Sequence, residues 1–300
     1  MSFQIQQKVD AITQHDFVEI ISESIYAKIV LNHGASLEEL QVDSKYIIKN
    51  LHPLTYQQTY ASSILFPFSN RIRNGVYTFE GKQFELNCNA IEENNALHGL
   101  VYNQKFKVVK QEASEEKGIL KLQYIEKTKR QGFPYTYTLE LTYIFTKNQV
   151  SLELNVINDS INSFPFTTGW HPYFFSENLS DSTLHFMSNK RVLFDDNMIA
   201  SEIVEEKNEG LLEIKNRQLD DCFYLDSNLV FFATPNYQLE LSSLASTNFL
   251  QVYIPPKKQT IAIEPLTGIS NSFNNEIGLQ VLKPNEKYTN TWQLKVNTNL

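Results

Sequence analysis

From Tyr135 to Phe145, Tyr135, Tyr137, Leu139, Leu141, Tyr143 and Phe145 occupy every second position. The residues between them, Thr136, Thr138, Glu140, Thr142 and Ile144, are polar in all but the last case. A strand points successive side chains to opposite faces, so this period predicts a long strand with one buried face. The pattern returns in Val150, Leu152, Leu154 and Val156 after the short link Thr146-Lys147-Asn148-Gln149, which predicts an antiparallel hairpin. Leu120/Leu122/Tyr124, Tyr237/Leu239/Leu241 and Trp292/Leu294/Val296 alternate in the same way. Val76-Tyr77-Thr78-Phe79 and Gln83-Phe84-Glu85-Leu86 flank Glu80-Gly81-Lys82 as a second hairpin. Helical spacing is sparse, and the window Ser36 to Leu40, after Gly34, is expected to form at most one turn of helix. No internal repeat, low-complexity segment or Pro/Gly-rich linker divides the chain. Residues 1–300 are therefore expected to form one all-β domain, and the length favours a large antiparallel β sandwich over a small barrel.

Bulk properties narrow the partners. A net charge of −8 with no basic cluster argues against nucleic acid and against an anionic membrane surface. The first residues, Met1-Ser2-Phe3-Gln4-Ile5-Gln6-Gln7, lack the basic and apolar regions of a signal peptide. No apolar run approaches the roughly twenty residues that span a bilayer. Two cysteines, Cys88 and Cys222, provide neither a disulfide framework nor a zinc motif. The expected setting is the cytoplasm. Nothing in the sequence sets an oligomeric state.

Among the six histidines, two sit in dense contexts. His98 lies in Asn94-Asn95-Ala96-Leu97-His98-Gly99, where the glycine admits backbone conformations closed to other residues. His171 lies in Gly169-Trp170-His171-Pro172-Tyr173-Phe174, and the following proline biases it toward extended backbone at a strand end. Glu264 ends an apolar run, Ile261-Ala262-Ile263-Glu264, either as a solvated strand end or as a general base at the rim of a cleft. Arg71, after Phe66-Pro67-Phe68-Ser69-Asn70, offers several fixed donors to a polyhydroxylated ligand or forms a surface ion pair. Asp220 and Asp221 either accept from sugar hydroxyls or cap a loop, and Trp170 either stacks on a sugar's CH face or packs in the core. The sequence has no G-x-G-x-x-G, H-E-x-x-H or G-x-S-x-G motif. His98, His171 and Glu264 have no local metal-ligand spacing, and no metal is expected.

Taken in order, these segments resemble the aldose 1-epimerase (galactose mutarotase) family. The stretch from Phe66-Pro67-Phe68-Ser69-Asn70-Arg71-Ile72 to Gly75 and Gly81 is similar to the family's "P-F-A-N-R-I…G…F…G". Asn87-Cys88-Asn89 and Leu97-His98-Gly99 follow at the expected distance, then His171-Pro172-Tyr173-Phe174, Asp220-Asp221-Cys222-Phe223 and Ile263-Glu264-Pro265, with Asn274 in the tail. The resemblance implies a galactose mutarotase-like β supersandwich, a sugar as small-molecule partner, and no cofactor. It implies Glu264 as the base at the anomeric hydroxyl, His171 as the acid at the ring oxygen, and His98 as a hydrogen-bonding histidine beside them. Arg71, Asp220 and Asn70 correspond to substrate-binding positions, with Asp221 an alternative to Asp220. For ring opening His171 has to start protonated, and a nearby carboxylate is expected to raise its pKa. Leu100, Trp170 and Asp221 depart from the family's usual residues on the substrate side. The implied activity is aldose 1-epimerisation of a free aldose. The alternatives are a hexose-6-phosphate 1-epimerase, which needs a cationic phosphate pocket, and a non-catalytic sugar-binding protein on the same fold.

Overall fold

Alternation becomes pairing where the sequence places it. In the computed structural model, which describes residues 2–208, 210–246, 248–256 and 259–299, the strands Tyr137–Phe145 and Gln149–Asn158 run antiparallel with Phe145 opposite Val150. Tyr137, Leu139, Leu141, Tyr143 and Phe145 are completely buried. Lys107–Ala113 and Gly118–Glu126 extend this hairpin on one side, and Lys287–Asn297 joins it on the other. Gln238–Ser243, Asp220–Ala233, Thr183–Phe194 and Ala200–Asn208 carry the sheet onward. The second expected hairpin also forms, Val76–Phe79 against Lys82–Glu85, with Lys82 inside the strand and only Glu80 and Gly81 in the turn. Both turn residues have positive φ, the geometry of a two-residue hairpin loop.

A meander of Gln4–Val9, Asp16–Ile21, Ile25–Val30, Ser36–Val42 and Lys45–Ile48 packs over the first sheet. Tyr143 Oη donates to the Ala35 carbonyl at 2.9 Å across the layers, and Trp170 meets Trp292 with ring centroids 6.3 Å apart. The meander corrects one expectation, since Ser36 to Leu40 is strand, not a helical turn. Leu37 and Leu40 have helix-like spacing, but the pairing register slips between Lys28 and Ile29, so Glu38 is an extra residue and both leucines reach the core.

One strand belongs to both layers. Asp220–Tyr224 pairs with Phe249–Tyr253, whereas Leu229–Ala233 pairs with Gln238–Ser242. Phe249–Tyr253 then pairs with Thr260–Leu266, all seven residues of which are buried. The far edge of Thr260–Leu266 takes Gly169–Trp170 and Tyr173–Phe175. Through Ile64–Leu65 and Ile48 these short strands reconnect to the N-terminal meander, giving a continuous 20-stranded network. The architecture is the large all-β antiparallel sandwich that the alternation predicts. Helix among the described residues amounts to the short segments Tyr56–Thr59, Leu179–Asp181 and Ser272–Asn275. None of it is long and apolar enough to cross a membrane.

Candidate active site

Glu264 sits inside the sandwich on its most enclosed strand. Gln251 lies directly opposite it on one neighbouring strand. On the other side the ladder breaks at His171-Pro172, because proline has no N–H to donate. The backbone there is held instead by His171 N to Ser63 O at 3.1 Å and Ser62 N to His171 O at 2.7 Å. The break turns the imidazole onto the carboxylate, with His171 Nε2 3.4 Å from Glu264 Oε1. Both side chains are almost completely buried, with 6% and 3% of their surface exposed. Glu264 is therefore not the solvated strand end that its sequence position also allowed.

His98 arrives from a strained loop. Its φ is +60° and that of Gly99 is +78°, both left-handed. A Cβ on Gly99 would stand 2.2 Å from the Phe66 carbonyl oxygen, so only glycine fits. His98 N donates to the Asn70 carbonyl at 2.9 Å, and Asn70 is itself left-handed at φ +57°. Two non-glycine residues in this region cost about 1–3 kcal/mol each, and such strain concentrates at functional sites. The loop sets the His98 ring perpendicular to that of His171, centroids 4.9 Å apart, while Tyr60 meets His98 edge-on and Tyr173 stacks on His171. The Nδ1 atoms of His98 and His171 are both buried without a hydrogen-bond partner.

These groups line a cleft of about 310 Å³, near the lower end of the roughly 300–1,000 Å³ usual for small-molecule sites. Asn70, Arg71, His98, His171, Asp220 and Glu264 all line it, so the structure brings all six expected residues together. Strand parity separates the two aspartates. Asp220 faces the cleft and accepts from Gln251 Nε2 at 2.7 Å, whereas Asp221 points away and pairs with Arg191 at 2.9 Å. Trp170 is wholly buried against Trp292 and outside the cleft lining, which favours its core reading. Asn274 also lies outside the cleft, where its side chain donates to the Val76 carbonyl.

Gln251 and Glu93 are among the cleft residues that a reading of the sequence misses. Gln251 links Asp220 to Asn70, whose Nδ2 is 3.5 Å from Gln251 Oε1. Its signal is an amide in the middle of the buried strand Phe249–Tyr253. Glu93 binds Arg71 through both carboxylate oxygens, with Nη2 to Oε1 at 2.9 Å. One of two glutamates in a polar turn, it carries no local signal.

Burial governs the electrostatics. It pushes the Glu264 carboxyl well above the usual range, reinforced by Asp220 and opposed by Arg71. It lowers His171 to about 4 and His98 well below the ordinary imidazole value. Asp220 is pushed up to about 6, again chiefly by burial. The expected rise of the His171 pKa beside a carboxylate is overturned, because burial lowers His171 and also keeps Glu264 protonated, leaving no negative charge beside the imidazole. The free site favours a carboxylic acid beside a neutral imidazole, which carries the same single proton as the ion pair.

The aldose 1-epimerase family model matches residues 16–295. The chain belongs to the aldose 1-epimerase family. Curated relatives of this epimerase-family chain include the uncharacterized protein YihR of Escherichia coli K12, 22% identical over 284 residues, covering 89% of this chain and 90% of YihR. Solved structures share its fold. A galactose mutarotase-like protein from Clostridium acetobutylicum superimposes with a TM-score of 0.86 at 20% identity, covering 99% of both chains. A galactose 1-epimerase from Lactobacillus acidophilus gives 0.82 at 16% identity, covering 98% of both. The sandwich is thus the galactose mutarotase-like fold that the motif order implied.

Proposed function

We propose that this epimerase-family chain interconverts the α and β anomers of a free aldose by acid–base opening and reclosure of the sugar ring. The observation that carries the reading is the buried contact between His171 and Glu264 on the floor of the cleft. Opening begins with the pair as carboxylate and imidazolium. Glu264 takes the proton from the anomeric hydroxyl, the C1–O1 bond becomes a carbonyl, and the C1–O5 bond breaks as His171 protonates O5. Rotation about C1–C2 and reversal of both transfers give the other anomer. Protons and electrons balance with no redox step.

The resting protonation state suits this cycle. After ring opening Glu264 is a carboxylic acid and His171 a neutral imidazole. That is the form burial favours, so the open-chain intermediate meets a site already adapted to it. The ion pair that starts the cycle is reached by one proton shift across 3.4 Å. Sugar hydroxyls favour it by replacing lost solvation. Asp220, Asn70, Gln251 and Arg71 supply acceptors and donors for the remaining hydroxyls.

A non-catalytic binder has no use for a dry acid–base pair at the floor of its site. A cytoplasmic setting suits Cys88 and Cys222, both free thiols. Polarimetry of freshly dissolved α-D-glucose and α-D-galactose tests the proposal. It expects acceleration beyond the spontaneous rate, and no acceleration with any aldose sinks it.

A further inference from the structure

We propose that Glu93 sets the charge class of the substrate, neutralising Arg71 so that the cleft takes uncharged aldoses and turns away those bearing a carboxylate or phosphate. The inference rests on the epimerase reading above and deepens it.

Arg71 is the only lysine or arginine among the described residues lining the cleft. Three of its five N–H donors are committed, Nε and Nη2 to the Glu93 carboxylate and Nη1 to Asn70 Oδ1 at 3.2 Å. The two that remain fit hydroxyl oxygens, while the positive charge that would attract an anion is already offset. Asp220, on the same cleft, adds a second negative charge near neutral pH. An anionic sugar thus meets two carboxylates and one compensated guanidinium.

Glu93 is built to stay in place. Its loop is closed by Ala90 and Asn95, which exchange backbone hydrogen bonds at 3.1 and 3.2 Å. Asn89 ties the loop's base to Leu97 by two side-chain bonds of 2.7 and 3.0 Å. Asn95–Leu97 in turn pairs with Arg71–Arg73, Leu97 opposite Arg71. These bonds fix the turn from which Glu93 reaches the cleft, and its two-oxygen pairing with Arg71 holds the side chain. The ion pair is partly enclosed, with side-chain exposures of 17% and 31%, so solvent screens it incompletely.

The test compares anomerisation of D-glucose and D-galactose with that of D-glucose 6-phosphate and D-galacturonate, followed by NMR exchange on the full chain. Wild type is expected to favour the neutral sugars in kcat/KM by about tenfold or more, the scale of one uncompensated charge at short range. Glu93→Gln, which keeps the shape and removes the charge, is expected to shrink that ratio about tenfold. A merely structural role for Glu93 lowers both substrate classes together and leaves the ratio unchanged, which overturns the proposal. If Glu93→Gln does not fold, salt decides with wild type alone. Added NaCl is expected to narrow the ratio, and a salt-independent ratio counts against the proposal. Equal turnover of neutral and anionic sugars overturns charge selection and leaves the epimerase standing. No turnover of any aldose removes the epimerase reading and this proposal with it.

Discussion

Replacing Glu264 by glutamine separates chemistry from folding at one atom. The side chain is 3% exposed and touches His171 Nε2 at 3.4 Å, and glutamine keeps its volume while losing the base. General acid–base help is worth about 10²–10⁴-fold, or roughly 2.7–5.4 kcal/mol of barrier. Since Glu264 and His171 share one proton, losing either disables both transfers. Glu264→Gln is therefore expected to lower kcat by at least about a hundredfold. His171→Gln is expected to do the same, and the double variant to be little worse than either, as for residues that act as a unit. Stability moves the other way. Burial raises the Glu264 pKa above its unfolded value, so above the ordinary carboxylate range the folded state binds the extra proton and pays for it increasingly as pH rises. Glutamine has no such penalty, and the Tm at neutral pH is expected to hold or rise. Polarimetry from fresh α-D-glucose with the spontaneous rate subtracted, alongside thermal unfolding, reads both quantities. Undiminished turnover would falsify the assignment of the base. Lost turnover with a much lower Tm would mean that Glu264 is chiefly structural.

In Asp220→Asn, the acid limb of kcat/KM, which reports the free site, is expected near pH 4, where His171 takes up a second proton on the pair, instead of near 6.5 as for a solvated imidazole; a limb at 6.5 refutes the dry site. Protonation of Asp220 is expected to add a limb near pH 6 to kcat/KM, absent in Asp220→Asn, and its persistence there assigns the limb elsewhere. Asp220→Asn is expected to raise KM about tenfold, the cost of one charged hydrogen bond, while Asp221→Asn, on the opposite face with Arg191, leaves KM unchanged. Gly99→Ala forces a left-handed residue against the Phe66 carbonyl at 2.2 Å. It is expected to cost at least about 1–3 kcal/mol in thermal unfolding and to displace His98, and wild-type stability excludes that strain.

Strands were legible because burial in a half-exposed strand repeats every two residues, as Tyr137 to Phe145 and Val150 to Val156 illustrate. Ser36 to Leu40 misleads because a bulge converts strand burial into helix-like spacing. Alternation was silent on Glu264 for a different reason. Every residue of Thr260–Leu266 is buried, so neither face is marked as solvent. The choice between Asp220 and Asp221 is a question of parity that only the pairing of Asp220–Tyr224 with Phe249–Tyr253 answers. Motif order picked out the six candidate residues one at a time. Their convergence depends on contacts between segments as distant as Arg71 and Asn271, whose backbones meet at 2.5 Å. Glu93 was invisible because a glutamate in a polar turn announces solvent until its partner is known.

The unbroken strand beneath the cleft bears on how such a protein can diversify. Thr260–Leu266 is laced to neighbours on both edges, so the proposed base is part of the scaffold and cannot be re-aimed without unmaking the sandwich. Glu93 and Met198, by contrast, enter the cleft from turns. Exchange of those turns is expected to change which ligand the cleft admits while leaving the proposed acid–base pair in place.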